Sequence, residues 1–305
     1  MKSMTNKILI SLLFLFIAGA FGCNQQSGDT GDELKKINVY CDESIYDMMK
    51  PLCASFDSSD TQGELALKRT SAFDAMARLL AGDTHVILLG RDYSRQEDSL
   101  MKAFSVKPHT KMSFATDALI FYVSVHSAMD TLTDKQIKDY LMNPDATLAP
   151  NNTKYPAKPE IVINSHLSSE YFNLKKFINE GKNLGRKLRM FSTSDSVRNY
   201  INLHPEAIGI GYLSGIVNES RFRAIAISFK DKAGNYIFPH VVHQTNIAQN
   251  FYPYVITHYA YIFDNRQDLP MRFGRFLSKA PAAQRYFNQF GIVPVFAKVK
   301  LIEEG

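Results

Sequence analysis

The residues of this chain that could do chemistry are hydroxyl-bearing residues at predicted helix starts, and one arginine and one aspartate that follow a predicted strand. A helix N-terminus exposes unpaired backbone N–H groups, and a dehydrated anion needs several such donors together with a bidentate guanidinium. Arg91 follows the predicted strand 85–90, and Asp92 beside it could accept the proton of a monohydrogen anion. The candidate contacts near helix starts are Ser44, Thr70, Ser71, Ser168 and Ser169. Each serine could instead serve only as an N-cap, and Arg91 could form an ion pair with Asp92 or Glu97.

Residues that would indicate catalysis or metal binding are sparse. His240 and His243 have the H-x-x-H spacing that suits two zinc ligands on a helix, but no third ligand with matching spacing supports them. The G-x-S-x-G pattern of a hydrolase nucleophile does not occur in the sequence. We therefore expect a protein that is not an enzyme and that holds no cofactor and no metal.

Strands and helices alternate along the chain, which predicts an α/β fold. The predicted strands are 37–41, 85–90, 117–125, 160–164 and 251–263. The predicted helices are 44–56, 71–82, 131–142, 168–181 and 194–205, with two more in 269–295. Thr133 and Gln136 have the spacing of a capping box. In sheets of this class ligands lie at the carboxyl ends of the strands, beside helix N-termini.

Residues 1–22 have the pattern of a secretory signal, with a basic start, an apolar run and small residues at the end. The segment resembles a lipoprotein signal because it is followed by Cys23, which would become the lipidated first residue. The usual motif has Leu three residues before the Cys, where this chain has Ala20. A plain signal or a retained anchor therefore stays an alternative. Residues 23–35 are predicted to hold the lipidated Cys and a flexible tether.

Composition excludes some partners. Loss of the signal lowers the net charge of +5 by two, and no Lys/Arg run follows a pattern suited to a nucleic-acid backbone, so nucleic acid is not expected as a partner. After residue 22 no apolar run approaches the ~20 residues of a transmembrane helix.

The sequence also bears on the state of two cysteines. Cys41 lies on a predicted strand, and Cys53 lies about 13 Å beyond the start of the next predicted helix. Disulfides need Cα atoms within about 7 Å, which favours two buried thiols.

Several segments, in order, carry a resemblance to a known family. They are TSAFDAMARLLAGDTHVILLGRDYSRQE (70–97), the strand from Asp117 with Leu132-Thr133 and Gln136-Ile137, HPEAIGIGYLS (204–214), Tyr252-Pro253 to Phe263, and Gly291 with Pro294. Together they span 36–297 and resemble the phosphate-binding protein family of bacterial phosphate ABC importers. The chain would be a divergent member of that family. The resemblance implies the type 2 periplasmic binding protein fold, an α/β architecture of two lobes with two crossover connections.

The resemblance also implies domain boundaries. The first lobe is expected from 36–115 plus 252–300, and the second from 116–251. Hinge motion is expected at the two crossings, near 113–117 and 249–254.

The implied function is that of an extracytoplasmic solute-binding lipoprotein. It would close on a small oxyanion, phosphate by resemblance, and deliver it to the permease of an ABC importer. The expected location is the cell envelope, where the lipid anchor would hold the protein to a membrane at the periplasmic face or the cell surface.

The departures from the family fall where the ligand would bind. The first loop contains Asp42 and Glu43, two carboxylates that would repel a dianion unless they point away. The second anion loop, 162–172, lacks the family's Arg and Gly. It offers hydroxyls at Ser165, Ser168 and Ser169. A non-transport lipoprotein of the same fold, with sensing, adhesion or assembly duties and a degenerate cleft, is therefore the alternative.

Overall fold

The computed structural model describes residues 35–148, 155–264, 266 and 268–296. The strands are β1 (Lys35–Asp42), β2 (Gly63–Thr70), β3 (Val86–Leu89), β4 (Thr110–Ser124), β5 (Thr131–Thr133), β6 (Ile161–Asn164), β7 (Arg189–Phe191), β8 (Ile208–Tyr212), β9 (Phe222–Ala224), β10 (Ala226–Lys230), β11 (Tyr236–Ile237), β12 (Val255–Ile262) and β13 (Val293–Pro294). The helices are α1 (Tyr46–Ser59), α2 (Ala72–Ala81), α3 (Arg95–Ala103), α4 (Asp134–Met142), α5 (Ser169–Asn179), α6 (Ser194–Leu203), α7 (Gln244–Ala248), α8 (Leu269–Lys279) and α9 (Pro281–Phe290). The predicted signal and Cys23 lie outside the described residues.

Strand β4 is the longest strand and links two parts of one sheet. The strand order is β2-β1-β3-β12-β4-β8-β6-β7, and β9 and β13 also pair with β4. Residues 110–118 of β4 pair antiparallel with β12, and residues 119–122 pair antiparallel with β8. We call the part around β1, β2, β3 and β12 the first lobe, and the part around β6, β7 and β8 the second lobe. The residue boundaries predicted for the lobes stay predictions.

Parallel pairing places the strand ends that matter for ligand binding. In the first lobe β1 is parallel to β2 and β3. In the second lobe β6 is parallel to β7 and β8. Each lobe therefore presents several strand carboxyl ends, and the helix that follows each strand begins beside them. A smaller sheet, β11-β10-β5, completes the described strands.

Local capping signals were reliable predictors of helix bounds. Ser71 caps α2 by accepting from the Asp74 backbone N–H, and Gly82 ends it with φ +78°. The predicted capping box of Thr133 and Gln136 is confirmed at α4. That helix begins at Asp134 and not at 131, because residues 131–133 form β5 and pair with β10.

Other elements differ from the sequence-based prediction. Strand β2 and helix α3 were not predicted, although Ser94 and Glu97 form a capping box at the start of α3. The aromatic strand predicted at 251–263 begins only at Val255, and Tyr252 and Tyr254 are buried ahead of it.

The core confirms the prediction for the two cysteines. Cys41 in β1 and Cys53 in α1 are buried free thiols that pack with the apolar residues between the sheet and the helices. Among the described residues, no helix has both the length and the apolar character needed to cross a membrane.

Candidate functional site

A cavity of about 230 Å³ lies where strand ends of both lobes meet. Its walls come from the ends of β1 and β2 in the first lobe and from the ends of β6 and β7 in the second. The lining residues are Asp42, Glu43, Arg69, Thr70, Ser71, Asn164, Ser165, Ser168, Ser192 and Thr193. The structure therefore brings together four of the residues predicted from sequence, namely Thr70, Ser71, Ser165 and Ser168.

Three helices begin at this cavity, and each is capped by a hydroxyl that lines it. Ser71 caps α2, Ser168 caps α5 and Thr193 caps α6. The capping oxygens accept from backbone N–H groups one turn into each helix, at 3.1 to 3.2 Å. The hydroxyls thus act as caps, and the helix starts direct their positive dipole ends toward the cavity. Thr193 was not among the predicted site residues, although its position before a helix gave the same signal as Ser71.

Glu43 reaches across the cavity from the first lobe to groups of the second. The Ser194 backbone N–H lies 3.1 Å from each Glu43 carboxylate oxygen, and the Ser194 hydroxyl donates to Oε2 at 2.8 Å. Asn164 Nδ2 donates to the same oxygen at 2.6 Å, and Arg69 Nη1 donates to Oε1 at 3.4 Å. A side chain from the first lobe is thereby held by groups of the second lobe.

Two further carboxylates are buried at this place. Asp42 and Glu170 are both almost fully buried, and Asp42 Oδ1 and Glu170 Oε2 have no hydrogen-bond partner. Burial raises the pKa of Asp42, although the hydroxyls of Ser169 and Ser44 oppose the shift, and the nearby Glu43 adds to the rise. Burial, reinforced by Asp42 and Glu43, raises the pKa of Glu170 well above its usual range. Both groups therefore favour the protonated form more than an exposed carboxyl would.

Ser169 and Ser44 are near the cavity without lining it. Ser169 is the first residue of α5, and its buried hydroxyl has no partner. Ser44 does not cap a helix, because it lies inside a 3-10 turn, Glu43–Ile45, that precedes α1. Its hydroxyl donates to Asp42 Oδ2 at 2.9 Å and lines a second cavity of about 20 Å³.

Arg91 does not line the cavity of about 230 Å³. Its guanidinium forms two parallel hydrogen bonds with Glu97, at 2.7 and 2.8 Å, and the two side chains are 4% and 10% exposed. The ring of Phe172 covers the guanidinium at 4.9 Å. The sequence had offered this pairing as a surface ion pair, whereas the structure buries it.

Asp92 also lies away from the cavity. It accepts from Lys111 Nζ at 2.8 and 2.9 Å and from Tyr261 Oη at 3.2 Å. Although partial burial opposes the shift, these partners lower the pKa of Asp92. Asp92 is therefore ionised and paired in this conformation. Arg69 is the arginine that reaches the cavity, and no predicted motif had marked it.

Direct contacts also join the lobes beside the cavity. Asn173 Nδ2 donates to the Gly90 carbonyl at 2.7 Å and to Tyr212 Oη at 2.8 Å, and Tyr212 Oη donates to the same carbonyl at 3.1 Å. A Cβ atom at position 90 would lie only 2.8 Å from the Tyr212 ring, so a glycine is required there. The Phe73 backbone N–H donates to the Leu167 carbonyl at 3.1 Å.

The arrangement suits noncovalent binding of a small polar ligand. Helix starts, hydroxyls and Arg69 can donate to an anion. The unpaired oxygen of Asp42 can accept from a ligand that carries a proton. Within the described part of the chain, no group of three or more His, Cys, Asp or Glu side chains is placed to hold a metal ion.

The architecture is shared with solved substrate-binding proteins. A protein from Clostridium perfringens, described as a phosphate ABC transporter substrate-binding protein and solved with bound phosphate, matches with a TM-score of 0.68 at 13% identity, over 86% of this chain and 100% of that chain. An ABC-type phosphate transport receptor from Vibrio cholerae matches with a TM-score of 0.63 at 15% identity, over 84% of this chain and 99% of that chain. This chain has the fold of substrate-binding proteins.

A third match comes from a transporter that is described for another element. The substrate-binding domain of a protein from Clostridium difficile, described as a molybdenum ABC transporter, has a TM-score of 0.50 at 13% identity, over 85% of this chain and 99% of that chain. The predicted two-lobed fold class is confirmed by these matches, and the low identities agree with a divergent relationship to phosphate-binding proteins. No protein-family model matches the chain, and no curated protein matches it significantly.

Proposed function

We propose that the protein is an extracytoplasmic solute-binding lipoprotein of an ABC importer, which binds a small oxyanion, with phosphate the first candidate. The observation that carries the proposal is the convergence of three helix starts on one cavity at the strand carboxyl ends. The fold is that of a protein solved with bound phosphate, which supports this choice of ligand. No covalent step is required of such a protein.

The proposed contacts follow from the cavity lining. Thr70, Ser165 and Ser168 would donate from hydroxyl or backbone groups, with Arg69 as the cationic partner. Ser71 would donate from its backbone, because its hydroxyl already donates to Asp74 Oδ2 at 2.7 Å. Asp42 would accept the proton of a monohydrogen anion through its unpaired oxygen. Arg91 and Asp92 would stabilise the first lobe and would not contact the ligand in this conformation.

The remaining parts of the proposal concern location and partners. Cys23 would carry the lipid that holds the protein at the cell envelope, on the periplasmic face or the cell surface. The permease of the importer would receive the solute when the lobes open. Replacement of Cys23 by Ser should move the protein from the membrane fraction to the soluble fraction, since a stable anchor needs more than one acyl chain.

A screen of anions tests the binding proposal. Thermal unfolding is followed with phosphate, sulfate, molybdate and chloride at equal ionic strength. A ligand at 100 times its dissociation constant adds about 2.7 kcal/mol to the free energy of unfolding, which is a readily measured shift. Thr70→Val should reduce that shift for the anion that binds. Identical unfolding in all four salts would remove the oxyanion proposal.

A second candidate function has one specific observation in its favour. The carboxylate of Glu43 is held by donors of both lobes, and Arg91 is held by Glu97, so charges of this region are already paired within the chain. A non-transport lipoprotein with sensing, adhesion or assembly duties would need no solute in the cleft. This candidate would be favoured if none of the tested anions raised the unfolding temperature and the folded protein was found in the membrane fraction.

A further inference from the structure

The carboxylate of Glu43 lies among hydrogen-bond donors inside the cleft. Glu43 follows β1 in the first lobe, and its carboxylate reaches the start of α6 in the second lobe. Its side chain is only 11% exposed. The contacts of this carboxylate are therefore made largely without competition from water, where hydrogen bonds to an ion are strong.

The donors around Glu43 form the set that an oxyanion would need. Ser194 is the first residue of the ten-residue helix α6, and both its backbone N–H and its hydroxyl contact the carboxylate. Asn164 donates its amide from the end of β6, and Arg69 supplies a positive charge from the end of β2. A helix start, an amide and a guanidinium thus converge from both lobes on one negatively charged group.

An independent observation is that a second carboxyl group beside Glu43 has an oxygen without a normal hydrogen bond. Asp42 is completely buried beside Glu43 and lines the same cavity. Its Oδ1 atom makes no hydrogen bond of normal geometry, although the Ser169 hydroxyl is close enough to oppose the rise in the pKa of Asp42. A buried acceptor without a partner is costly unless a ligand or water satisfies it. The cavity of about 230 Å³ leaves room for such a ligand next to the Glu43 carboxylate.

We propose that Glu43 is a tethered competitor, which occupies the anion position at the start of α6 and thereby sets the affinity and selectivity of the cleft for oxyanions. The proposal rests on the binding function proposed above. An incoming dianion must displace the Glu43 carboxylate or bind beside it against its charge. A ligand gains only the difference between its own contacts and those that Glu43 gives up. The wild-type cleft therefore binds phosphate more weakly than its donor set alone would allow.

Removal of the tethered charge tests the proposal. Phosphate binding is measured by calorimetry, at fixed ionic strength, for the purified wild-type chain, Glu43→Ala and Glu43→Gln. Glu43→Ala should bind phosphate at least about tenfold more tightly, because it frees the donors and removes the repulsion. Glu43→Gln keeps the shape of the side chain and should fall between the two, which also guards against a folding defect in the alanine variant.

A matched control removes an equal charge elsewhere. Glu64 lies on β2 in the same lobe and pairs with Lys36 at 2.7 Å on the surface. Glu64→Gln should leave the phosphate affinity within about threefold of wild type. If Glu64→Gln tightened binding as much as Glu43→Gln, the effect would be one of net charge and the proposal would be overturned.

A second measurement separates competition from a merely structural role. Hydrogen exchange of the peptide that contains Ser194 should be faster in Glu43→Ala than in wild type, and phosphate should restore its protection. If wild type and Glu43→Ala bind phosphate equally, the tethered competitor is refuted while the binding function stands. If neither protein binds phosphate, sulfate or molybdate, the binding function fails as well, since the freed donors should have created the tightest site.

Discussion

The buried pair of Arg91 and Glu97 allows a sharp prediction about stability. Glu97→Gln removes the negative charge but keeps the size of the side chain. It also preserves the capping box with Ser94, because glutamine serves in that position as well as glutamate does. The change therefore removes the charge that compensates the Arg91 guanidinium, together with one of the two oxygens that accept its hydrogen bonds.

The magnitude follows from the burial of the pair. The two side chains are 4% and 10% exposed and share two hydrogen bonds of 2.7 and 2.8 Å. Removal of one partner of such a pair leaves an uncompensated buried charge, which typically costs about 3 to 5 kcal/mol. We expect Glu97→Gln to lose about 3 kcal/mol, since the amide oxygen can still accept one hydrogen bond.

The pH dependence gives a second, independent signature. Burial alone would raise the pKa of Glu97, but the hydrogen bonds and charge of Arg91 outweigh it and hold the pKa below its usual range. A carboxyl whose folded-state pKa is lowered stabilises the fold above the unfolded-state pKa, and this stabilisation is lost as the pH falls through the folded-state pKa. The difference between wild type and Glu97→Gln should be complete at about pH 7 and should shrink below about pH 4.

Urea denaturation followed by circular dichroism measures both effects. The matched control is Glu219→Gln, which breaks an exposed pair with Arg221 at 2.7 Å and should cost less than about 1 kcal/mol. A loss for Glu97→Gln as small as that of the control, or a loss that does not change with pH, would refute the assignment of Arg91 to a structural pair.

Three further predictions concern buried groups. Asp117→Asn should cost about 1 to 3 kcal/mol in urea denaturation, because His258 Nε2 contacts Asp117 Oδ2 at 3.0 Å in a fully buried place and an amide supplies one acceptor oxygen fewer. An unchanged midpoint would contradict this. Glu170→Gln should stabilise the protein by about 1 kcal/mol at neutral pH and progressively less toward about pH 4. The pKa of Glu170 is raised in the folded state, so wild type loses stability as the pH rises from the unfolded-state pKa to the folded-state pKa. A gain that is the same at all pH values would refute this prediction. Neither Cys41 nor Cys53 should react with a thiol reagent at about pH 8 unless the protein is unfolded, because both thiols are buried. Burial also raises the pKa of Cys53 to about 12. Fast labelling of the folded protein would contradict this prediction, because it would show that one of the thiols is accessible.

The sequence predicted those features that depend on neighbours along the chain. Ser71 and Gly82 fix the two ends of α2 by contacts within that helix, so their residue types were sufficient. The alternation of strands and helices likewise predicted the fold class, and the resemblance placed the elements in the right order. The position of β5 could not be read in this way, because residues 131–133 become a strand only through pairing with β10.

The site depended on contacts between residues far apart in the chain. Glu43 and Ser194 are 151 positions apart, and no local pattern around Glu43 reveals that its carboxylate reaches α6. Arg91 was predicted to face a ligand because it follows a strand, and Glu97 was considered only as a surface partner. Phe172 of the second lobe covers the guanidinium of this buried pair, and the sequence does not place Phe172 beside Arg91.

The interlobe contacts bear on how a solute could act on this protein. Asn173 and Tyr212 hold the Gly90 carbonyl, and Glu43 holds the start of α6, so the chain itself bridges the lobes at the places where a solute would do so. A ligand shifts closure only by its differential affinity for the closed and open states. When the protein's own groups already supply much of the bridging energy, a solute that displaces Glu43 exchanges one bridge for another.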